Sequence, residues 1–231
     1  MHASDEETSI IEHMRHLKNH VTLKNNAQFA LGIVTGNNQE FIKEKKPKNG
    51  EMILKGNDIF KYNYVPDKQF IVYEREKFQQ VAPDELYRAK EKLVYRFINE
   101  QLIFAYDNNQ TLTLNSANIV IPKIDGLHLK YILAVLNSRP AQFFHLYSFS
   151  SVKVLRKHIE SIPIPYVSCE KQAGIIEMAE ELMQTAVPQK RNELYESIDL
   201  EIMNLFEFTE KQKQLIREKI PVKFLNWQEN K

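Results

Sequence analysis

The stretch Phe29-Ala-Leu-Gly-Ile-Val-Thr-Gly-Asn-Asn38 runs an apolar strand straight into a turn of hydrogen-bonding groups. Glycines allow positive φ and close backbone approach. Thr35, Asn37 and Asn38, with Gly36 between them, carry donors and acceptors of the kind that pair with base edges or phosphate. From the motif alone, a binding loop and an ordinary strand-ending turn are both open. A second set of groups is cationic. Lys55 precedes Phe60-Lys-Tyr-Asn-Tyr64, and Lys92 and Arg96 lie on one strand with Val94 between them. Lys153, Arg156 and Lys157 stand at i, i+3 and i+4. Alternate strand residues share a face, as do helix residues three and four apart, so each set should aim its charges one way. Phosphate binding is the functional reading; dispersed surface cations, including the run Lys43, Lys45, Lys46 and Lys48, are the other.

Enzyme templates find little footing. The sequence has no phosphate loop of the Gly-x4-Gly-Lys-Ser/Thr type, no Gly-x-Gly-x-x-Gly, no Gly-x-Ser-x-Gly and no His-Glu-x-x-His. Pro66-Asp67 and Pro83-Asp84 begin a nuclease-like pattern, but no acidic-x-Lys follows at a suitable distance. Glu74 and Glu76 alternate with basic residues, as a solvated strand exit does. His13, His16 and His20 share a helical face, yet a polar stripe beside an apolar one accounts for them better than a metal site. The expectation is no catalytic residue and no metal ligand.

Composition frames these groups. The 231 residues are 43% hydrophobic and 26% charged, ordinary for a globular chain. Cys169 is the single cysteine, which excludes a disulfide framework and fits a reducing cytoplasm. No stretch approaches the roughly 18–20 apolar residues of a membrane span. Net charge is only +1, but residues 24–165 hold 20 Lys/Arg against 14 Asp/Glu, while both flanks are acidic. A basic middle between acidic ends suits a polyanion-binding core.

The elements that must position these groups follow from periodicity. Residues 5–20 read as an amphipathic helix with Ser4 or Asp5 as cap. Strands are expected over 27–34, 51–54, 70–73, 93–98, 102–106, 111–114 and 117–121, with Asn108-Asn109 as a hairpin turn. Helices are expected over 127–137, 140–148 (Pro near its first turn), 154–161, 170–186, 189–206 and 209–219. Ile162-Pro-Ile-Pro165 closes the basic helix, because a residue before proline leaves the helical region. The fold class is therefore α+β: a mixed, mainly antiparallel twisted sheet flanked by helices, with a C-terminal helical region. The expected units are an N-terminal linker helix (1–23), a central domain (24–165) and a helical region (166–231).

Six segments, taken in order, resemble the specificity domain of TaqI-like adenine methyltransferases and of fused type IIG restriction–modification enzymes. They are Gly32-Ile-Val-Thr-Gly-Asn-Asn38, Ile53-Leu-Lys-Gly-Asn-Asp-Ile59, Glu91-Lys-Leu-Val-Tyr-Arg96, Leu112-Thr-Leu-Asn-Ser-Ala-Asn-Ile-Val-Ile-Pro122, Tyr131-Ile-Leu-Ala-Val-Leu-Asn-Ser138 and Leu155–Pro165. Type I specificity subunits look like more distant relatives. The resemblance implies a target-recognition domain that holds double-stranded DNA against a catalytic domain, which binds S-adenosylmethionine and methylates a flipped adenine. This sequence departs from that pattern, having no Pro-Pro pair for an Asn/Asp-Pro-Pro-Tyr/Phe motif and no Gly-rich cofactor motif. The implied part is thus a recognition piece without catalysis or cofactor of its own, working with a methyltransferase or restriction catalytic domain in cis or in trans. A scaffold that docks such a subunit through its helical tail is the alternative. Carried onto this sequence, Thr35, Gly36, Asn37 and Asn38 would lie near base edges. Lys55, Lys92, Arg96, Lys153 and Arg156 would contact phosphates or bases, and Asn115-Ser116 would order a strand turn, with Ser116 reaching a phosphate as the alternative.

Overall fold

In chain order the elements are α1 (Asp5–Arg15), β1 (His20–Val21), β2 (Ala27–Ala30), α2 (Asn38–Phe41), β3 (Gly50–Leu54), β4 (Phe70–Val72), α3 (Asp84–Tyr87), β5 (Lys92–Arg96) and β6 (Phe104–Asp107). There follow β7 (Leu112–Thr113), β8 (Ala117–Pro122), α4 (Leu129–Asn137), α5 (Arg139–Ser148), α6 (Arg156–Glu160), β9 (Ile164–Pro165), α7 (Cys169–Gln184), α8 (Pro188–Leu205) and α9 (Glu210–Lys219). The structure is a computed structural model describing residues 3–149 and 151–221. The last ten positions of the expected region 166–231 lie outside the described residues.

The fold is mixed α+β, with mainly antiparallel sheets and flanking helices. A four-stranded sheet of order β2-β8-β5-β6 is antiparallel throughout. Beside it, β3 pairs antiparallel with β4 and parallel with β7. The alternation of the central strands decides what covers each face. Leu93, Tyr95 and Val120 point into an apolar core shared with α1, α4, α5, α7, α8 and α9. Val94, Ala117 and Ile119 point the other way, into a second core with Ile33, Ile53, Leu54 and Leu112. Each such fully buried aliphatic side chain contributes roughly 1.5–3 kcal/mol of burial.

Local signals explain most helix ends. Ser4 and Glu7 form a reciprocal capping box at α1, Ser138 with a proline at the first turn starts α5, and Thr209 with Gln212 caps α9. Two expectations fail for non-local reasons. The first helix stops at Arg15, well short of residue 20, because His20 and Val21 pair with Pro165 and Ile164. Asn108-Asn109 does not close a hairpin: β6 pairs with β5, whereas β7 crosses to lie parallel to β3.

Buried polar contacts fasten the C-terminal helices to the sheet portion. Arg139 is 2% exposed and donates to Asp199, to both carboxylate oxygens of Glu196, and to the Ile220 carbonyl at 2.8 Å. Lys61, also buried, donates to the Asn137 carbonyl at 2.6 Å and lies over the Tyr195 ring. Its burial, only partly offset by Asp199, pulls its pKa down to about 7. Gln172 on α7 binds the backbone at Gly126, Val167 and His128.

Candidate nucleic-acid interface

The organising element is the two-residue turn Asn115-Ser116 between β7 and β8, closed by Ala117 N donating to Leu114 O at 2.7 Å. Three segments converge on it. Asn115 N donates to Ile33 O, Phe97 N to Ser116 O, and Gly56 N to the Ser116 hydroxyl at 2.9 Å. Two glycines make this closeness possible. A side chain at Gly32 would run into the Leu114 and Ala117 carbonyl oxygens, and one at Gly56 into that of Ser116. The expected role of Asn115 and Ser116 in ordering a turn is what the geometry shows.

Cations and rings gather along the edge served by that turn. Arg96 is half-buried; its Nε donates to Ile59 O at 2.8 Å and its guanidinium lies over the Phe60 ring at 5.4 Å. Lys55, just before Gly56, pairs with exposed Asp67 at 2.7 Å. Lys153 lies over the Phe97 ring at 5.8 Å and forms an antiparallel bridge with Ile98. Cations held over ring faces keep their charge available to a partner while losing some side-chain freedom. The loops around the turn thus bring Lys55, Arg96 and Lys153 to one edge.

Other expected residues fall elsewhere. Lys92 is a correction: it is fully buried, paired with Asp107 across the β5–β6 register and donating to Tyr87 O at 2.8 Å, so it has no route to a phosphate. Asp107 also accepts from Tyr64, from Thr111 and from the Asn109 backbone. Thr35 is a second correction. It is 4% exposed, and its hydroxyl donates to Asn38 Oδ1 at 2.6 Å, so it braces the turn and cannot reach a base edge. Gly36 (φ +81), Asn37 and Asn38 remain exposed, with Asn37 donating to Glu40. This turn is held by Gln80, which exchanges backbone hydrogen bonds with Val34.

Lys153, Arg156 and Lys157 do not share a helical face. The helix begins only at Arg156, and Lys153 is extended in its bridge to Ile98. Arg156 lies over the Phe29 ring at 5.0 Å and pairs with Glu160. The histidine stripe is occupied by separate backbone carbonyls: His13 on Phe206, His16 on Glu12 and His20 on Leu17. Asp84 is taken by Tyr73 and Arg75, and Glu74 by Lys77. Sequence reasoning missed Phe97, Ile98 and Val152, and no local pattern marks them as edge residues.

The site is thus an edge of the sheet portion where Arg96 and Lys153 lie over the Phe60 and Phe97 rings. Residues 51–164, 114 of the 231, match the family model described as TaqI-like C-terminal specificity domain. No curated protein matches the chain. Among solved structures, the HsdS subunit from Thermoanaerobacter tengcongensis aligns at TM-score 0.47 and 13% identity, over 87% of this chain and 51% of that one. A chain from a type I R-M system aligns at 0.49 and 16%, over 87% and 50%. The type IIL restriction-modification enzyme MmeI, in complex with DNA, aligns at 0.51 and 8%, over 86% and 36%. The chain therefore spans about half, or less, of the proteins whose fold it resembles. No helix among the described residues is long and apolar enough to cross a membrane.

Proposed function

We propose that this chain reads the duplex DNA target of a restriction–modification adenine methyltransferase in the cytoplasm. Catalysis and S-adenosylmethionine belong to a separate part, in cis or in trans. The observation that carries the reading is the specificity-domain match over 51–164, because the Lys55, Arg96 and Lys153 edge lies within that span. Phosphate contacts from such cations would set position and affinity, and base-edge contacts would set preference. Gly36, Asn37 and Asn38 supply exposed polar groups for the second task. Residues 24–165 would form the reading unit, with the flanking helices orienting it. The absence of a Pro-Pro pair from the sequence supports assigning methylation elsewhere.

The test is selection from a pool of randomised duplexes at low salt. Enrichment of one short motif is the expected outcome; retention of no duplex, or of all duplexes equally, would overturn the reading. The alternative, docking of a catalytic subunit through the tail, is favoured by exposed Val187 and Leu200 on or beside α8. It makes a compatible second contact. Val187→Ser with Leu200→Ser should weaken capture of a methyltransferase subunit without altering the selected motif.

A further inference from the structure

Among the described residues, the most exposed large apolar side chains are Ile98 (65%) and Val152 (62%). They lie far apart in sequence, yet the fold brings them to one edge. Ile98 and Lys153 form an antiparallel bridge, and Val154 N donates to Phe97 O at 2.9 Å, so Val152 sits one residue from the bridge. Residues directly opposite in such a pair hold their side chains side by side, with Cβ atoms about 4.5–5.5 Å apart. The bridge therefore sets Ile98, a stiff β-branched side chain, beside the Lys153 side chain, while Val152, one residue along, alternates to the other face. Neither Ile98 nor Val152 belongs to either apolar core, so the fold does not require them to be apolar.

The charge beside Ile98 selects its partner. Among the described residues Lys153 is exposed with no carboxylate in contact, Arg96 ends β5 just before Phe97, and Arg156 and Lys157 follow on α6. A two-stranded edge fits the major groove, which is about 12 Å wide, and there the C5-methyl of thymine is the one apolar group on a base edge. We infer that the Ile98–Lys153 edge enters the major groove, with Ile98 reading a thymine methyl and Lys153 on a flanking phosphate. This rests on the DNA-reading function proposed above. It adds which part of the chain faces the bases and which base it prefers.

The experiment uses the full chain and the duplex it selects from a randomised pool. Each thymine is replaced in turn by deoxyuridine, and affinity is read by fluorescence anisotropy. For the unmodified chain, one position should lose about three- to five-fold in affinity, the size expected for a single buried methyl. Ile98→Ser should abolish that loss, Val152→Ser on the other face should preserve it, and Lys153→Ala should weaken both duplexes and preserve it. Indifference to deoxyuridine at every position, a motif lacking A·T pairs, or a loss that survives Ile98→Ser would overturn the inference and leave the DNA-reading function standing. Failure to select any motif removes both.

Discussion

Lys92 and Lys153 carry the same ammonium on extended backbone, and their surroundings give them opposite tasks. Lys92 is sealed in the interior, where Asp107 and the Tyr87 carbonyl complete its hydrogen bonds. Lys153 stands in solvent beside Ile98 with the Phe97 ring beneath it. Interior charges of the first kind, Lys92–Asp107 and Arg139–Asp199, hold the architecture together. An exposed edge charge such as Lys153 keeps its ammonium within reach of a polyanion. Depth decides which work a cation does, and depth here is set by which strand lies alongside.

The largest expected effect comes from breaking the interior set. Arg139→Met leaves Asp199 buried without its cation and frees the Ile220 carbonyl, so it should cost about 3–5 kcal/mol. A denaturant or thermal melt would show the loss, and proteolysis should release the C-terminal helices first. Lys92→Met should cost less, about 2–3 kcal/mol, because Asp107 keeps its bonds from Tyr64, Thr111 and Asn109. Its folded fraction should bind DNA as the parent chain does. A Lys92→Met chain that melts normally and has lost DNA affinity would erase the distinction between the two regions.

A smaller effect concerns pH. His145 is buried behind Phe149 and His158, and burial, with help from the His158 charge, pushes its pKa down to about 4. Its Nδ1 has no hydrogen-bond partner among the described residues. Between pH 6.5 and 4 the unfolded chain takes up a proton that the folded chain refuses. Stability should therefore fall on acidification through that window, by up to about 1.4 kcal/mol per pH unit. His145→Phe should flatten that slope in melts recorded at several pH values; an unchanged slope would place the acid sensitivity elsewhere.

Much of the scaffold was legible because its causes are local. Proline and serine at the start of α5, the Thr209 cap of α9 and the β-branched run 117–122 each announce an element within a few residues. What stayed hidden was pairing at a distance. His20-Val21 is too short to read as a strand, and only its partner Ile164-Pro165 makes it one. Lys92 looked like a surface cation because Asp107 arrives from the next strand, and Thr35 looked like a donor to DNA because its acceptor, Asn38, is supplied by the turn itself. The exposure of Ile98 is equally silent in sequence, since it depends on nothing having packed there. The recognition motifs were readable as an ordered set, whereas the face they present had to come from the fold.

The most direct measurement of the central claim is duplex affinity as a function of salt for the parent chain, Lys153→Ala and Lys92→Met. The account predicts that Lys153→Ala binds more weakly across sequences, with a log–log salt slope smaller by about 1. Its melting should stay within about 0.5 kcal/mol of the parent. Lys92→Met should retain the parent's slope in its folded fraction. Salt-independent binding by the parent chain, or an equal loss of slope in both variants, would contradict it.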